Sequence, residues 1–284
     1  MSNVCFVMLV FNGDYVLPEV LSAILPYGKV VVAEGPVKYF RERWQVTTST
    51  DETNVILDDL VGDNVVRRIW DEKDDMMRAL VPLIPTDTTH LWMVDSDEVW
   101  RAQDIEKVLC QLEDVDSVSF KPYSFFGGFE RVLTGFEMQF EWIRIQRFYP
   151  GATWATHRPP TILAPDGRPW REHRHLSLDD VRFWHYSYVW ASQVLAKAGY
   201  YQFRSDCIPD WFQTVWLRWV LGNDLTRQII EDEYDGVHEW KPERRGPCRT
   251  ELFTGEHPAI IQDALPRLKR RFEKELRNKG LQWL

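Results

Sequence analysis

The amino-acid sequence predicts an α/β fold in which a mainly parallel sheet is wound with helices. Over about the first 115 residues, short apolar runs alternate with segments of helical periodicity, as in strand–helix–strand units. Two of these runs end in acidic residues, at Glu34 and at Asp95. Most of the 14 Trp lie from Trp92 onward. We therefore expect a Rossmann-like half followed by an aromatic-rich half.

The first units follow this alternation. Residues 4–11 are predicted as a strand, 12–14 as a turn, and 16–25 as a helix that a proline ends. Residues 29–33 form a second predicted strand, and Glu34 follows it directly. Carboxyl ends of parallel strands meet at one sheet edge, where α/β proteins bind ligands. Glu34 is therefore expected at that edge.

The next segment leads to the strand that precedes Asp95. Residues 44–54 are rich in Ser, Thr and Asp and are predicted as a polar loop. Residues 64–69 are predicted as a strand, and 71–83 as a helix with an acidic first turn. Residues 90–94 form a short apolar run that indicates a buried strand.

The pattern changes in the later part of the chain. Residues 118–120 are predicted as a strand, and the alternation over 136–142 predicts a half-exposed antiparallel strand. Residues 181–188 form an aromatic-rich segment, and a helix is expected after it around residues 194–198. Residues 211–220 carry apolar side chains at helical spacing, and 259–278 are predicted as the last helix.

Composition limits the class of protein. With 284 residues and 44% hydrophobic content, the chain can form one domain with halves 1–115 and 116–284. The net charge of -9 and the dispersed basic residues give no electrostatic surface for nucleic acid. No apolar run approaches the length of a membrane span, and the N-terminus resembles a core strand more than a signal peptide.

The cysteines point to a reducing compartment. Cys5, Cys110, Cys207 and Cys248 are widely spaced and form no Cys-x-x-Cys motif. Neither a disulfide framework nor a zinc cluster is indicated, which favours a cytoplasmic protein.

The acids that follow residues 90–94 are candidate metal ligands. Side chains alternate along an extended chain, so Asp95 and Asp97 are expected on one side while Ser96 points away. Two carboxylates on one side can face a divalent cation or a cation-bound diphosphate, and oxygen ligands suit Mg²⁺ or Mn²⁺. The alternative is a solvated turn or a helix cap, although Asp104 is the better cap for the next helix.

Taken together, these features resemble the family 2 glycosyltransferases with the GT-A fold. The segments that carry the resemblance are, in order, Phe11-Asn12, Glu34, the polar loop at 49–53, and Asp95-Ser96-Asp97-Glu98. The similarity covers residues 5–100 by pattern and the sequence to Tyr201 more loosely. This sequence departs from the family pattern because Glu34 replaces an Asp and is separated from the Ser49-Thr50-Asp51 run.

The resemblance implies a nucleotide-sugar donor linked to UDP or GDP. The residues that it assigns to the donor nucleotide are Phe11, Asn12, Glu34, Asp51, Asp95 and Ser96. The implied reaction transfers the sugar to a glycan or another hydroxyl acceptor, with inversion at the anomeric carbon.

The resemblance also implies a later histidine that completes the shell of a Mn²⁺ or Mg²⁺ ion held by Asp95 and Asp97. His185, between aromatic residues, matches that element, although a packed core histidine gives the same pattern. His173 and His175 are the competing pair, and an exposed basic loop is their simpler interpretation.

The transfer further requires a base and charge neutralisation. An inverting reaction needs a carboxylate that accepts the acceptor's proton, and Asp210, directly before the aromatic helix, is the first candidate. Its alternative role is a helix cap. Lys73, Arg78 and Lys197 are possible phosphate partners or simply surface charges.

Two other functions are compatible with the sequence. In a haloacid dehalogenase-type phosphatase, Asp95 is the nucleophile and Asp97 the acid/base, although that motif usually follows the first strand. In a noncatalytic glycan-binding module, the aromatic half binds sugar and the acids cap turns. Metal-dependent donor binding distinguishes an enzyme from such a module.

Overall fold

The computed structural model describes residues 3–169, 174–201 and 204–283, with side chains described to residue 277. The chain forms two compact units. The first contains Met1–Phe120 and Glu141–Phe183, and the second contains Lys121–Phe140 and Trp184–Leu284. The chain therefore passes from the first unit to the second twice, and the expected halves 1–115 and 116–284 stay a prediction. A single domain that includes both units stays a prediction.

The strands are, in chain order, β1 (Val4–Val10), β2 (Lys29–Glu34), β3 (Val65–Arg67), β4 (His90–Met93), β5 (Glu98–Val99), β6 (Ser117–Phe126), β7 (Arg131–Leu133), β8 (Trp142–Arg147), β9 (Thr153–His157), β10 (Pro160–Leu163), β11 (His175–Tyr188) and β12 (Thr250–Leu252). The α-helices are α1 (Leu17–Ile24), α2 (Lys38–Trp44), α3 (Thr53–Leu60), α4 (Lys73–Leu80), α5 (Ala102–Leu109), α6 (Phe136–Gln139), α7 (Ala191–Tyr201), α8 (Arg218–Leu221), α9 (Asp224–Glu233), α10 (Pro242–Arg245) and α11 (Ala259–Trp283).

A mainly parallel sheet forms the centre of the first unit, which confirms the predicted α/β class. β1 pairs in parallel with both β2 and β4, and β3 pairs in parallel with β2. β8 pairs antiparallel with β4 and with the first part of β6. The strand order is β3-β2-β1-β4-β8-β6, so the chain adds β2 and β3 on one side of β1 and then continues with β4 on its other side. A crevice forms at such a reversal, beyond the carboxyl ends of the strands.

Aromatic side chains fill the core beside this sheet. Trp92 stacks on Phe6 and Phe120, with ring centroids 5.3 and 6.0 Å apart. Trp100 meets Trp92 edge-on at 4.9 Å and stacks on Phe183 at 5.2 Å. These tryptophans are packing residues, because large buried rings contribute apolar area. This packing holds β4 in the core two residues before Asp95.

Two helices border the predicted polar loop at 44–54, where the sequence indicated none. α2 and α3 leave only residues 45–52 outside helices. Their N-cap residues, Val37 and Glu52, make no side-chain capping hydrogen bond, so the usual start signal is missing. The helix expected at 71–83 is confirmed as α4 followed by one 3₁₀ turn.

Two further local predictions were wrong. Asp104 lies in the first turn of α5, and the N-cap is Arg101. The strand expected over 136–142 is the short helix α6, and β8 begins only at Trp142. Gly135 adopts φ +63°, and a Cβ there would lie 2.0 Å from the Pro247 carbonyl oxygen. α6 begins at the next residue, where Gly135 passes close to the Pro247 backbone, and an alternating apolar pattern does not record such a contact.

The second unit has an aromatic core of its own. Its buried residues include Phe126, Tyr188, Trp211, Trp216 and Trp219. The predicted aromatic helix at 211–220 is a π-helical segment, Phe212–Leu217, that continues into α8. In the described part of the chain, no helix is long and apolar enough to cross a membrane.

Candidate functional site

The carboxyl ends of the neighbouring strands β1 and β4 bring together two predicted segments. Gly13 follows β1, and a Cβ on it would lie 2.7 Å from the Ser96 hydroxyl oxygen that follows β4. The two strand ends therefore touch at a position where a side chain larger than hydrogen does not fit. We name the region around these strand ends, with Phe11, Asn12, Glu34, the loop at 48–53 and Asp95-Ser96-Asp97, the strand-end site.

Glu34 fixes the polar loop to the end of β2. Its side chain is buried, and Oε1 accepts the Ser49 backbone N–H at 2.8 Å. The Thr48 hydroxyl also donates to this carboxylate, at 3.3 Å. The loop that the sequence placed apart from Glu34 is thus bound to it.

Asn12 joins the same loop to the end of β1. Its backbone N–H donates to the Ser49 hydroxyl at 2.9 Å, and its Oδ1 accepts the Thr50 N–H at 2.7 Å. Asn12 has φ +50°, a conformation that Asn tolerates better than most residues. These hydrogen bonds bring the Ser49-Thr50-Asp51 run next to the end of β1, although the two segments are distant in sequence.

Asp51 is a structural member of this loop. Its carboxylate accepts backbone N–H groups of Asp14 and Thr53, at 3.2 and 3.0 Å. Burial, with the negative charge of Asp14, raises the pKa of Asp51 above its ordinary value. Its oxygens are used to shape the loop, and its role toward the nucleotide stays a prediction.

An aromatic wall stands beside the strand-end site. Phe11 lies 5.2 Å from Phe40 and 5.8 Å from Trp44, and the last two rings are 4.9 Å apart. Trp44 is 38% exposed. Phe40 and Trp44 lie on α2 and were missed in the sequence. Their spacing of four residues, typical of one helix face, was the available signal.

The acids after β4 are arranged differently from the expectation. Residues 95–98 form a tight turn, in which the Glu98 N–H donates to the Asp95 carbonyl at 3.0 Å. The alternation argument for Asp95 and Asp97 required an extended chain, so it was wrong. Glu98 is buried in β5, and its Oε2 accepts the Asp95 N–H at 3.3 Å. The turn, which includes Asp97, therefore fixes the backbone positions of Asp95 and Asp97.

Two arginines neutralise Asp95. Arg158 and Arg144 both donate to Asp95 Oδ2, at 2.8 and 3.1 Å. Arg144 is buried and also pairs with the fully buried Glu98. Both guanidinium groups lie over the Trp142 ring, about 5 Å from its centroid. No local sequence pattern predicts these arginines, because β8 and the β9–β10 turn come close to Asp95 only in the folded chain.

A preformed metal cage is absent from the described residues, where no three His, Cys, Asp or Glu side chains are grouped to hold an ion. The donors nevertheless fit a hard cation that arrives with a nucleotide. Mg²⁺ commonly binds through one or two carboxylates together with substrate phosphates. Asp95 and Asp97, which follow β4, are the two carboxylates that would bind such an ion.

His185 lies in the second unit and is 5% exposed. Its Nδ1 is 3.5 Å from the Ser124 hydroxyl, which donates to Glu137 at 2.9 Å. Its role as a metal ligand stays a prediction. His175 contacts Ser117 and Ser119 through its two ring nitrogens, and His173 lies outside the described residues.

The second unit also contains a buried polar network of Glu137, Tyr188, His238 and Glu239. The Tyr188 hydroxyl donates to Glu239 at 2.6 Å and lies 3.1 Å from His238 Nε2. The Trp240 N–H donates to His238 Nδ1 at 3.2 Å. Burial lowers the pKa of His238 and raises that of Tyr188, so both are neutral near pH 7.

The remaining predicted residues have separate positions. Asp210 is exposed with φ +49°, and its carbonyl accepts the N–H groups of Gln213 and Thr214. Lys197 donates to the Ser187 hydroxyl and lies 3.7 Å from the centre of the Tyr188 ring. Arg78 pairs with Asp75 on α4, where Lys73 is the first residue. Their proposed roles in base or phosphate chemistry stay predictions.

No family model matches the sequence, and no curated protein matches it. Solved structures of TarS from S. aureus are similar to parts of the chain. Residues 1–349 of TarS in complex with UDP-GlcNAc match at 13% identity and a TM-score of 0.35, covering 44% of this chain and 35% of that chain. A longer TarS structure matches at 11% identity and a TM-score of 0.41, covering 82% of this chain and 43% of that chain. The matched region therefore spans less than half of either TarS chain, and a likeness of this size carries no argument about function.

Proposed function

We propose that the chain is a glycosyltransferase that uses a nucleotide-sugar donor. One observation carries the proposal: an aromatic wall, a buried carboxylate and a turn of acids paired with arginines follow the carboxyl ends of β1, β2 and β4 at one edge of the sheet. These groups correspond in chemistry to a base, a ribose and a diphosphate.

The aromatic wall and Glu34 account for the nucleoside. Trp44 and Phe40 offer flat faces on which a base stacks, and such stacking is not specific to one base. Glu34 and Asn12 hold the loop at 48–53 in place, so polar groups of that loop are preorganised for base and ribose. Either UDP or GDP is compatible with this arrangement.

The acids and arginines account for the diphosphate. Arg158 is 39% exposed and is positioned by Trp142 and Asp95, so its guanidinium can meet phosphate oxygens. A Mn²⁺ or Mg²⁺ ion, when bound, would be held by Asp97 and Asp95 and would neutralise charge on the leaving group. Arg144 keeps Asp95 and Glu98 in position from below. Preorganised charge of this kind lowers the barrier to loss of a nucleoside diphosphate.

The second substrate is a glycan or another hydroxyl compound. In an inverting transfer a carboxylate removes the acceptor proton, and Asp210 is our candidate. Its exposure leaves the carboxylate in contact with solvent, where an acceptor has access to it.

Calorimetric titration with UDP and GDP, with and without Mn²⁺, tests the proposal. We expect one nucleotide to bind in the presence of Mn²⁺, and Asp97→Ala to weaken this binding by about 10–100-fold, as for loss of a charged contact. Asp63→Ala, an exposed acid of the same unit, is the matched control. Failure of both nucleotides to bind the folded wild-type chain would contradict the proposal.

A further inference from the structure

A second candidate binding site lies in the second unit. A cavity of about 360 Å³ is lined by Phe136, Phe140, Arg244 and Arg245. Ligand pockets usually measure about 300–1,000 Å³, so this one suits a small group. We name these four residues, with Trp240, the arginine–aromatic cleft.

The backbone fixes the two sides of the cleft relative to each other. α6 carries Phe136, and α10 ends at Arg245. The Phe136 N–H donates to the Pro247 carbonyl, and the Thr134 N–H donates to the Arg249 carbonyl at 2.8 Å. Both short helices are thereby attached to one stretch of chain. The cleft is a built feature and does not depend on side-chain packing alone.

Arg245 gives the cleft its charge. Its guanidinium lies over three rings, 5.3 Å from Trp240, 5.8 Å from Phe140 and 6.0 Å from Phe136. Stacking uses the faces of a guanidinium and leaves the N–H donors in its plane. Among the residues that the structure describes, no carboxylate forms an ion pair with Arg245. An exposed, oriented cation in a chain of net charge -9 is a specific attraction for an anion.

The neighbouring residues add a second cation and an apolar face. Arg244 is fixed by Asp206, with 2.7 Å between Nε and Oδ2, and lies 5.6 Å from the Trp240 ring centre. Phe140 is 45% exposed, so its ring presents apolar surface to the cleft. A ligand that matches both parts carries an anionic group beside a ring with apolar C–H faces.

We infer that the arginine–aromatic cleft binds an anionic carbohydrate. Its carboxylate or phosphate group lies in the plane of the Arg245 guanidinium, and its sugar ring lies against Phe136 and Phe140. The binding itself is independent of the donor site. Naming this ligand as the acceptor rests on the proposed function, and it makes the acceptor an anionic glycan.

Calorimetry with four probes tests the inference: trigalacturonic acid, glucose 6-phosphate, neutral maltotriose and inorganic phosphate. We expect at least one anionic sugar to bind about tenfold or more tightly than maltotriose and inorganic phosphate, and to weaken when NaCl is raised. The tighter of the two anionic sugars identifies the anion. Equal binding of maltotriose, or binding of none of the probes, would overturn the inference.

Variants locate the site. Arg245→Gln should reduce binding of the anionic sugar by about 10–100-fold, and Phe140→Ala should also reduce it. Arg218→Gln, an exposed arginine elsewhere in the unit, is the control and should bind as wild type. Unchanged binding in both Arg245→Gln and Phe140→Ala refutes the site. A chain that binds the sugar but no nucleotide refutes only the proposed function, and the reverse result refutes only this inference.

Discussion

The strand-end site and the buried polar network both contain carboxylates, but they differ in their access to solvent. Trp44 and Arg158, which border the strand-end site, are more than a third exposed. In the network, Tyr188, His238 and Glu239 are each at most 5% exposed. The first can exchange a protein partner for a ligand, whereas the second has its hydrogen bonds completed inside the protein.

This difference in solvent exposure distinguishes polar groups that can bind a ligand from polar groups that stabilise the fold. A buried polar group without its partner costs folding free energy, so a closed network resists any change. A half-exposed group can be solvated when its partner leaves, so the same change affects ligand affinity more than stability. Substitutions in the two regions should therefore give opposite patterns.

The largest effect is expected in the network. Glu239→Ala leaves the buried Tyr188 hydroxyl without its acceptor and leaves a cavity in place of the carboxylate, so it should lower the free energy of unfolding by about 3–5 kcal/mol. Urea denaturation, followed by tryptophan fluorescence, measures it. Glu233→Ala, an exposed acid of the same unit, should change stability by less than about 1 kcal/mol. An equal decrease in the free energy of unfolding in Glu239→Ala and Glu233→Ala would contradict a stabilising role of the buried network.

A smaller effect, on binding, is expected at the aromatic wall. Trp44→Ala removes a stacking face and should weaken UDP or GDP binding by about 1–3 kcal/mol. Because Trp44 is 38% exposed, its loss should change the free energy of unfolding less than it changes affinity. Calorimetry and urea denaturation give both values, with Ile69→Ala as a control for an exposed apolar residue. Unaltered nucleotide affinity would exclude the wall from the donor site.

The smallest effect concerns pH. Burial lowers the pKa of His238 below its ordinary 6.5, so the folded chain binds fewer protons than the unfolded chain when the pH falls below 6.5. Stability therefore decreases as the pH falls through the ordinary titration range of histidine. His90, His157 and His257 have pKa values lowered by burial and act in the same direction.

His238→Gln should reduce this pH dependence by the share of one histidine. Urea denaturation at pH 5.5, 6.5 and 7.5 gives the slopes. An identical slope in wild type and His238→Gln would mean that His238 binds protons equally in the folded and unfolded chain, which contradicts the prediction.

Sequence alone located much of the strand-end site but could not arrange it. Phe11, Asn12, Glu34 and Asp95 were identified because each follows an apolar run, and parallel strands bring their ends to one edge. Arg144, Arg158 and Trp44 were not identified. Their neighbours in the site are distant in sequence, and no local pattern records such a contact.

The sequence by itself determined the α/β class, the positions of β1, β2 and β4, and the acids that follow β2 and β4. Hydrophobic periodicity and strand ends are local properties, so they can be read along the chain. Only the tertiary structure decided that residues 95–98 form a turn and that Asp95 is paired with arginines. It also decided that Phe136 begins a helix, because that turn depends on a contact between Gly135 and Pro247 across more than a hundred residues.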